Sequence, residues 1–410
     1  MIPELPAEPR GSTDPALQQP ALAVVAVAEP SAAPEPPAAP QPLPFSFTGN
    51  ASAYFRIWVV NLLLSVLTLG LWSPWAKVRK RRYFYGHTWV GGANFEFHGR
   101  PVVILRGRLL AVSAFAVYWF VGHLRPGSGP WLLLLLLLAA PWIIARSLAF
   151  NAANSSHRGI HFAFDGRARA VALAIWPLFL WPMVLWLTER DPLAVVDNAM
   201  LYIAATIVVY IVLVGAYPYA VARVRRLTVS HSRWGLCPFA SSMRTGQVYA
   251  IYGIAILLGL IGVVLMAILG VGAFFLAKLL PDLAPEFVGI AAAAWAGLLY
   301  VLLVVVVMGY TRSRVGNLVF NSARLGNLAR FSSRVSARRL ARLYGGNLFA
   351  ILFSAGLLIP WAVIRVARYR VESLSVLPEA PPDSVLNAVV AGTTAAVEEL
   401  GEVFGFDLAL

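Results

Sequence analysis

Charged residues are scarce in this chain. They make up 13% of its 410 residues, whereas a soluble domain usually has about 25%. Hydrophobic residues make up 59% and occur in long runs, such as 131–140 and 251–277. A bilayer core about 30 Å thick needs about 20 apolar residues per helix, and the backbone polar groups inside it must be satisfied within the segment. The sequence therefore predicts an all-α polytopic membrane protein.

Acidic residues are missing from the apolar segments. Seven lie between Glu35 and Glu372, and all of them are in the predicted loops. Transporters that are coupled to protons or cations usually contain an ionisable residue inside the membrane, so the sequence disfavours that class. The single cysteine, Cys237, excludes an internal disulfide.

Basic residues distinguish the two sides of the predicted membrane domain. Eight apolar segments are expected, at 54–75, 102–122, 130–149, 170–188, 198–219, 247–277, 287–310 and 343–364. The four long loops at 77–108, 146–169, 219–246 and 311–342 contain 25 basic residues, and the three short loops contain 3. Such an excess is typical of cytoplasmic loops. Because these charges lie between apolar runs, they favour contact with anionic lipid head groups over nucleic acid.

The membrane domain contains an internal repeat. Residues 74–99 align without gaps with 141–166, and residues 61–83 align with 347–369 with ten identities in 23 positions. One repeated motif, the exit motif, ends a helix with Pro or Gly, an aromatic residue, three residues and an Arg. Its aromatic residues are Trp75, Trp142, Tyr219, Tyr310 and Trp361, and its arginines are Arg79, Arg146, Arg223, Arg314 and Arg365.

A second repeated motif, Phe-x-Phe-x-Gly, precedes the helices. It begins at Phe45, Phe95 and Phe162, and degenerate versions lie around Phe239 and Phe331. Its alternation of aromatic and polar residues has the period of a β-strand, and Gly91-Gly92 suits a tight hairpin turn. The sequence therefore predicts short β-hairpins in the cytoplasmic loops, which together could form a small β layer.

The repeat leaves two topologies open, with six to eight membrane segments. If the exit motif and the Phe-x-Phe-x-Gly motif are both cytoplasmic, segments 54–75 and 343–364 are re-entrant, six segments cross, and both tails are cytoplasmic. Otherwise there are eight crossings and both tails are outside. The first topology is favoured, because Gly70 and Gly356 permit a bend. Residues 1–44 are expected to be a disordered Ala/Pro-rich tail, 45–370 the repeated transmembrane domain and 371–410 an acidic C-terminal tail.

The run FSFTGNASAYFRIWVVNLLLSVLTLGLWSPWAKVRKRRYFYGHTWVGGANFEFHG resembles the start of the YjgN-like proteins. The most specific part is the stretch Thr-Leu-Gly-Leu-Trp-x-Pro-Trp-Ala-Lys, and the resemblance covers roughly residues 43 to 370. It implies a bacterial inner-membrane location and a helical membrane fold. The family has no established activity, so the resemblance implies none for this chain.

Candidate sites for chemistry are few. Ser155, Ser156 and His157 are adjacent, but adjacency in sequence is not triad geometry. His157 and His161 have the spacing of a metal pair on a helix, yet Gly159 places them in a predicted hairpin without a third ligand. We therefore expect no enzyme activity, no metal and no cofactor.

The repeated aromatic residues are expected to be interfacial anchors. The five repeated arginines are candidates for contact with an anionic lipid or a phosphate. The sequence favours a lipid-interacting or scaffold membrane protein. The alternative is a transporter or channel for a small neutral or anionic solute, suggested by the repeats and by proline-broken segments.

Overall fold

A computed structural model describes residues 41–125, 127–180, 199–279 and 285–379. Its helices are α1 (Ala51–Leu67), α2 (Ser73–Gly86), α3 (Pro101–Leu124), α4 (Gly129–Ala153), α5 (Ala168–Ile175), α6 (Ala199–Ser230), α7 (Thr245–Leu279), α8 (Pro285–Asn321), α9 (Ala337–Phe353) and α10 (Ile359–Glu372). A 3-10 helix, Trp176–Leu180, follows α5. The expectations for 1–40 and 380–410 lie outside the described residues.

The strands are short. They are β1 (Leu43–Pro44), β2 (Ser46–Phe47), β3 (Thr88–Val90), β4 (Ala93–Phe97), β5 (Ser155–His157), β6 (Ile160–Phe164), β7 (Ser232–Trp234), β8 (Cys237–Ser241), β9 (Ala323–Leu325), β10 (Ala329–Ser333) and β11 (Leu374–Pro378). All eleven belong to one antiparallel sheet, in the order β1-β11-β10-β9-β8-β7-β6-β5-β4-β3-β2. Because β1 begins at Leu43 and β11 ends at Pro378, the sheet includes residues before and after the expected 45–370 domain.

The sheet closes on itself. Its two edge strands, β1 and β2, are separated only by Phe45, whose backbone N–H donates to Leu374 O at 3.1 Å. One continuous stretch of chain, 43–47, thus pairs with β11 on one side and β3 on the other. The all-α description from the sequence is therefore incomplete. The predicted hairpins exist, but they join edge to edge into a single barrel-like sheet. Each hairpin has unpaired backbone N–H and C=O groups along its two outer edges, and these groups pair with the neighbouring hairpins.

Five units of strand, helical segments and strand make up this architecture. The second strand of each unit begins fourteen residues after the Pro or Gly of the exit motif (74 to 88, 141 to 155, 218 to 232, 309 to 323, 360 to 374). In each unit a backbone N–H beside the first strand donates to the carbonyl just before the second strand, at 2.8–3.0 Å. These pairs are Thr48–His87, His98–Asn154, Asp165–His231, Ser242–Ser322 and Arg334–Ser373. The equal spacing and equal bonds establish the units as structural repeats.

Five described helices are long and apolar enough to cross a membrane: Pro101–Leu124, Gly129–Ala153, Met200–Ser230, Thr245–Phe275 and Gly289–Asn321. Most of their apolar side chains are exposed, as expected for surfaces that face lipid. The predicted segment 170–188 extends into 181–198, which lies outside the described residues. Polytopic helical structure is thus confirmed, together with a sheet that joins the helix ends.

The first and last units are helical hairpins. The predicted segment 54–75 is broken between α1 and α2, where Leu69 and Gly70 have φ of 50° and 88°. The predicted segment 343–364 is broken between α9 and α10, where Ala355 and Gly356 have φ of 48° and 90°. These left-handed residues reverse the chain. The residues align at the offset of 286 seen in the sequence repeat.

Tyrosine hydroxyls hold the open ends of these hairpins together. Tyr83 at the end of α2 donates to Asn50 O and accepts from Asn50 N, both at 2.7 Å, at the start of α1. Tyr369 makes the equivalent bonds to Ser336, accepting from its N–H at 2.8 Å. The start and the end of each hairpin therefore lie at the same end of the sheet, and the tips point away from it.

Candidate functional site

The closed sheet lines an open cavity of about 560 Å³, which we term the lumen. Phe84, Tyr85, Phe320 and Val371, near the ends of α2, α8 and α10, line it near the helices, and Gly91 and Arg158 line it near the hairpin turns. Its wall contains the first phenylalanine of every Phe-x-Phe-x-Gly motif, including the degenerate ones: Phe45, Phe95, Phe162, Phe239 and Phe331. We term these five residues the phenylalanine ring.

Within the phenylalanine ring, each aromatic side chain contacts the next one in the order of the strands. Successive centroids are 6.2, 6.4, 6.4 and 5.9 Å apart, and the interplanar angles are 6°, 21°, 28° and 33°. Such spacing and tilt are favourable for aromatic pairs. Each ring therefore contacts its neighbour along the wall of the lumen, and all five side chains are only partly buried.

The second phenylalanine of the motif explains its glycine. A Cβ at Gly49 or Gly99 would lie 2.5 Å from the ring of Phe47 or Phe97, and a Cβ at Gly166 would lie closer still to the ring of Phe164. The ring therefore packs directly on the glycine two residues later, where no side chain fits. In the degenerate motifs both positions differ. Ser241 and Ser333 take the place of the second phenylalanine, and Met243 and Val335 take the place of the glycine.

His157 is the histidine that lines the lumen. It is 8% exposed and packs on Phe95 and Trp234, with centroid distances of 4.6 and 5.6 Å. Its Nδ1 lies 3.2 Å from Asn94 O. A carbonyl only accepts, so Nδ1 carries the hydrogen and Nε2 of the neutral ring is an acceptor. Burial lowers the pKa of His157, which favours this neutral form.

The exit motif has a common geometry. All five Pro or Gly residues are buried and all five arginines are exposed. Four arginines lie over the aromatic residue of their own motif, at 5.0–5.9 Å from the ring centroid: Arg146 over Trp142, Arg223 over Tyr219, Arg314 over Tyr310 and Arg365 over Trp361. Arg79 lies over Trp72 instead, at 5.9 Å, and Trp72 stacks on Trp75 at 5.2 Å. This i, i+4 stacking orients the guanidinium.

The five repeated arginines are distributed around the sheet. Their helices lead into β3, β5, β7, β9 and β11, which occupy alternate positions of the closed sheet. Equivalent positions on these helices therefore lie around the barrel rather than at one point. Their contact with an anion and the interfacial role of the aromatic residues stay predictions.

A second cavity, of about 690 Å³, lies between α9, α10 and the start of α1. We term it the arginine pocket, because Arg339, Arg342, Arg365 and Arg368 line it together with Trp361, Tyr369 and Glu372. Arg339 lies over Tyr369 at 4.7 Å, and Arg368 donates to Gly49 O at 2.9 Å. Among the predicted site residues, Arg365 and Trp361 are thus brought into a pocket.

The adjacent Ser156 and the nearby His98 and Glu96 do not have the geometry of a catalytic triad. Ser156 Oγ lies 2.8 Å from His98 Nε2, and Glu96 Oε2 lies 3.4 Å from the same nitrogen. A triad needs the serine and the carboxylate on different ring nitrogens. The ring of His161 contacts that of His98, whereas the ring of His157 contacts Phe95 and Trp234. Within the described ranges, no group of three His, Cys, Asp or Glu residues could hold a metal ion.

Comparison with known proteins identifies the family. The model of a family described as bacterial protein of unknown function (DUF898) matches residues 42–404. The chain belongs to the DUF898 family. It is also 33% identical to the inner membrane protein YjgN of Salmonella typhimurium over 134 residues and to that of Escherichia coli K12 over 127 residues. These alignments cover 32% and 30% of this chain, and 33% and 31% of the relatives.

The YjgN-like resemblance inferred from the sequence is confirmed by these matches. With its five membrane-length helices, this DUF898 member is a multi-pass protein of the bacterial inner membrane. The chain spans about a third of the length of the curated relatives that it matches. No solved structure matches it.

Sequence reasoning recognised the phenylalanines but missed the lumen and the pocket. A usable signal was the constant distance of 21 residues from the exit Pro to the first Phe of the next hairpin (74 to 95, 141 to 162, 218 to 239). In the fourth hairpin the distance is 22 (309 to 331), because its turn is one residue longer. This spacing reveals units of equal geometry, which is the condition for a closed ring of hairpins.

Proposed function

We propose that this DUF898 member is a lipid-interacting scaffold of the inner membrane that binds anionic head groups in the arginine pocket. The observation that carries the proposal is the grouping of four exposed guanidinium groups around one cavity of about 690 Å³. Guanidinium groups match the geometry of phosphate oxygens and form paired hydrogen bonds with them.

The charge around the pocket supports an anionic ligand. Glu372 is the one carboxylate among the residues that line it, against four arginines. Asn50 and Ala51 also line the pocket, at the N-terminus of α1. Helix N-termini carry a partial positive charge and free N–H groups, both of which favour phosphate.

The position of the pocket supports a lipid rather than a soluble anion. Large apolar side chains are exposed at the tips of both hairpins, including Leu69 at 96% and Phe353 at 88%. Trp361 lies between the tip of the α9–α10 hairpin and the arginines. Tryptophan is favoured at the head-group level. An apolar tip in the acyl region would therefore place the arginines among the lipid phosphates.

The fold also supports six crossings with two re-entrant hairpins. Both ends of each hairpin join the closed sheet, and the loops that contain the sheet carry the excess of basic residues. In this topology the sheet and the strands at both ends of the domain face the cytoplasm. The transporter alternative would need a polar path, whereas the lining of the lumen is mainly aromatic and aliphatic.

Lipid retention in nanodiscs tests the proposed function. We expect purified protein to retain phosphatidylglycerol over phosphatidylcholine, as measured by mass spectrometry. Arg342→Gln should weaken this preference roughly fivefold, since a basic residue near an anionic surface contributes about 1 kcal/mol. Inorganic phosphate as competitor distinguishes a head-group site from a free-phosphate site.

Arg56→Gln is the matched control, because Arg56 occupies the equivalent position on α1, where Ala53 replaces Arg339. We expect a much smaller effect of this change. If both substitutions reduce retention equally, the attraction is generic and the specific pocket is excluded.

Cysteine labelling tests the topology. In a Cys237→Ser background, single cysteines at Ser46 and Ser375 should react with an impermeant maleimide only after permeabilisation, as should a cysteine at Arg233 in the β7 strand. A cysteine at Arg125 marks the opposite side and should react in intact spheroplasts. Labelling of Ser46 together with Arg125 would establish eight plain crossings instead.

A further inference from the structure

The lumen differs from a filled barrel interior. Small barrels are usually filled by their inward-facing side chains. Here the phenylalanine ring leaves a cavity of about 560 Å³, which falls within the range of about 300–1,000 Å³ that is typical of small-molecule sites. The contacts of each ring with the next give this cavity a continuous aromatic wall.

His157 is a buried polar side chain in a mainly apolar lining that also includes Tyr85, Thr88 and Arg158. His157 is nine-tenths buried, and its Nδ1 is occupied by Asn94 O. Among the described residues, none makes a hydrogen bond to Nε2. Nε2 is not fully enclosed by protein, since Trp89 Nε1 is the one fully buried side-chain nitrogen or oxygen without a hydrogen-bond partner among the described residues. Phe95 and Trp234 contact the imidazole, so its free nitrogen has a defined place in a mainly apolar cavity.

We infer that the lumen binds a small apolar, ring-bearing molecule whose single hydrogen-bond donor reaches Nε2 of His157. The aromatic wall provides contact area for rings, and the acceptor nitrogen of His157 selects and orients the ligand. This site is separate from the arginine pocket: the two share no lining residue. It therefore does not depend on the proposed lipid function.

Two matched probes test the inference. 2-Naphthol has an O–H donor, and 2-methoxynaphthalene has the same rings without a donor. Binding is measured by equilibrium dialysis with the full chain in phosphatidylcholine nanodiscs, and empty nanodiscs are subtracted. Neutral lipid keeps the arginine pocket out of the measurement. We expect 2-naphthol to bind about tenfold more tightly, the effect of one hydrogen bond in a desolvated site.

His157→Phe removes the acceptor and keeps an aromatic ring. We expect this variant to bind 2-naphthol only as well as 2-methoxynaphthalene, while its affinity for 2-methoxynaphthalene stays unchanged. Equal binding of the two probes to the unmodified protein would overturn the role of His157. So would an unchanged preference for 2-naphthol in His157→Phe.

Filling the lumen tests its location. Ala329 is buried and lines the lumen, whereas Ala240 is exposed on the neighbouring part of the same sheet. We expect Ala329→Phe to abolish binding of both probes and Ala240→Phe to leave it intact. Size-exclusion chromatography confirms that each variant is folded. If the folded Ala329→Phe protein binds both probes as before, the ligand site is not the lumen.

Discussion

At the level of single residues, two positions of the Phe-x-Phe-x-Gly motif change together. Three units combine a second phenylalanine with glycine, and two units combine serine with Met243 or Val335. The reason is the close approach of the ring to the glycine. A larger residue fits only where the ring is gone, so the degenerate motifs are a second solution to the same packing problem.

Replacing the Phe–Gly pair of one motif by the Ser–Val pair of another should reveal the energetic coupling between the two positions. Gly99→Val alone would drive a side chain into the ring of Phe97, and we expect it to destabilise the protein by about 1–3 kcal/mol, the usual cost of overpacking. The double variant Phe97→Ser/Gly99→Val copies Ser333 and Val335. We expect it to be less destabilised than the sum of the two single changes, as measured by thermal unfolding in detergent. Simple additivity would contradict the proposed contact.

His157 also predicts a pH dependence of stability. Burial lowers its pKa from the ordinary value of 6.5, the bond to Asn94 opposes this, and the nearby charge of Arg158 lowers the pKa further. The unfolded chain therefore takes up a proton at a higher pH than the folded protein. The stability that neutral His157 contributes is complete above pH 6.5 and is lost as the pH falls below that value.

We expect the unfolding temperature to fall between pH 7.5 and 5.5, and to fall less in His157→Phe. His161→Phe, a change at an exposed histidine, should keep the original pH dependence. If the two variants respond alike to pH, His157 is not the titrating group.

At the level of the elements, the turns of the helical hairpins need left-handed residues. Gly70 has φ of 88°, and a Cβ there would meet no atom within 4 Å. There is room for a side chain at Gly70, so only its left-handed backbone conformation opposes one. Gly107, within α3, is equally open but has ordinary helical geometry.

The two glycines therefore predict opposite effects of the same substitution. We expect Gly70→Ala to destabilise the protein by about 1–2 kcal/mol, the cost of a left-handed residue. Gly107→Ala should stabilise it by about 0.5–1 kcal/mol, because alanine is favoured in a helix. Thermal unfolding of both variants measures the difference. Equal shifts would exclude the reversed turn at 69–70.

The sequence predicts the elements better than their assembly. The repeats, the exit motifs and the hairpins follow from local patterns, such as the alternation at Phe95 and Phe97. The pairing of one hairpin with the next does not, because short strands carry little information about their partners. The arginine pocket was also beyond local patterns, since Arg339 and Arg342 come from α9 whereas Arg365 and Arg368 come from α10.

At the level of the whole molecule, a pair of strands from the two ends of the domain, β1 and β11, takes the place of a fifth hairpin. β1 pairs with β11 in the register Leu43–Val376, and Arg330 forms an ion pair with Glu379 beside it. Arg368 bridges the same junction through Gly49 O. This junction completes both the lumen and the arginine pocket, so the integrity of both sites depends on it.

A disulfide can report this closure. In a Cys237→Ser background, Leu43→Cys and Val376→Cys should cross-link under mild oxidation, because directly opposed residues of paired strands lie within disulfide reach. We expect a faster-migrating band on a non-reducing gel. Leu43→Cys combined with Ala240→Cys, on a distant strand, should not cross-link. Cross-linking in both pairs, or in neither, would contradict the closed sheet.

The junction of β1 and β11 also determines when folding can finish. Residues 43–47 leave the ribosome early, but their partner strand at 374–378 is the last of the eleven described strands to be synthesised. Until then the growing chain exposes unpaired strand edges, which invite wrong partners. The barrel can therefore close only after residues 374–378 have been synthesised, and chains that terminate before 374 would present open edges that quality-control proteases could recognise.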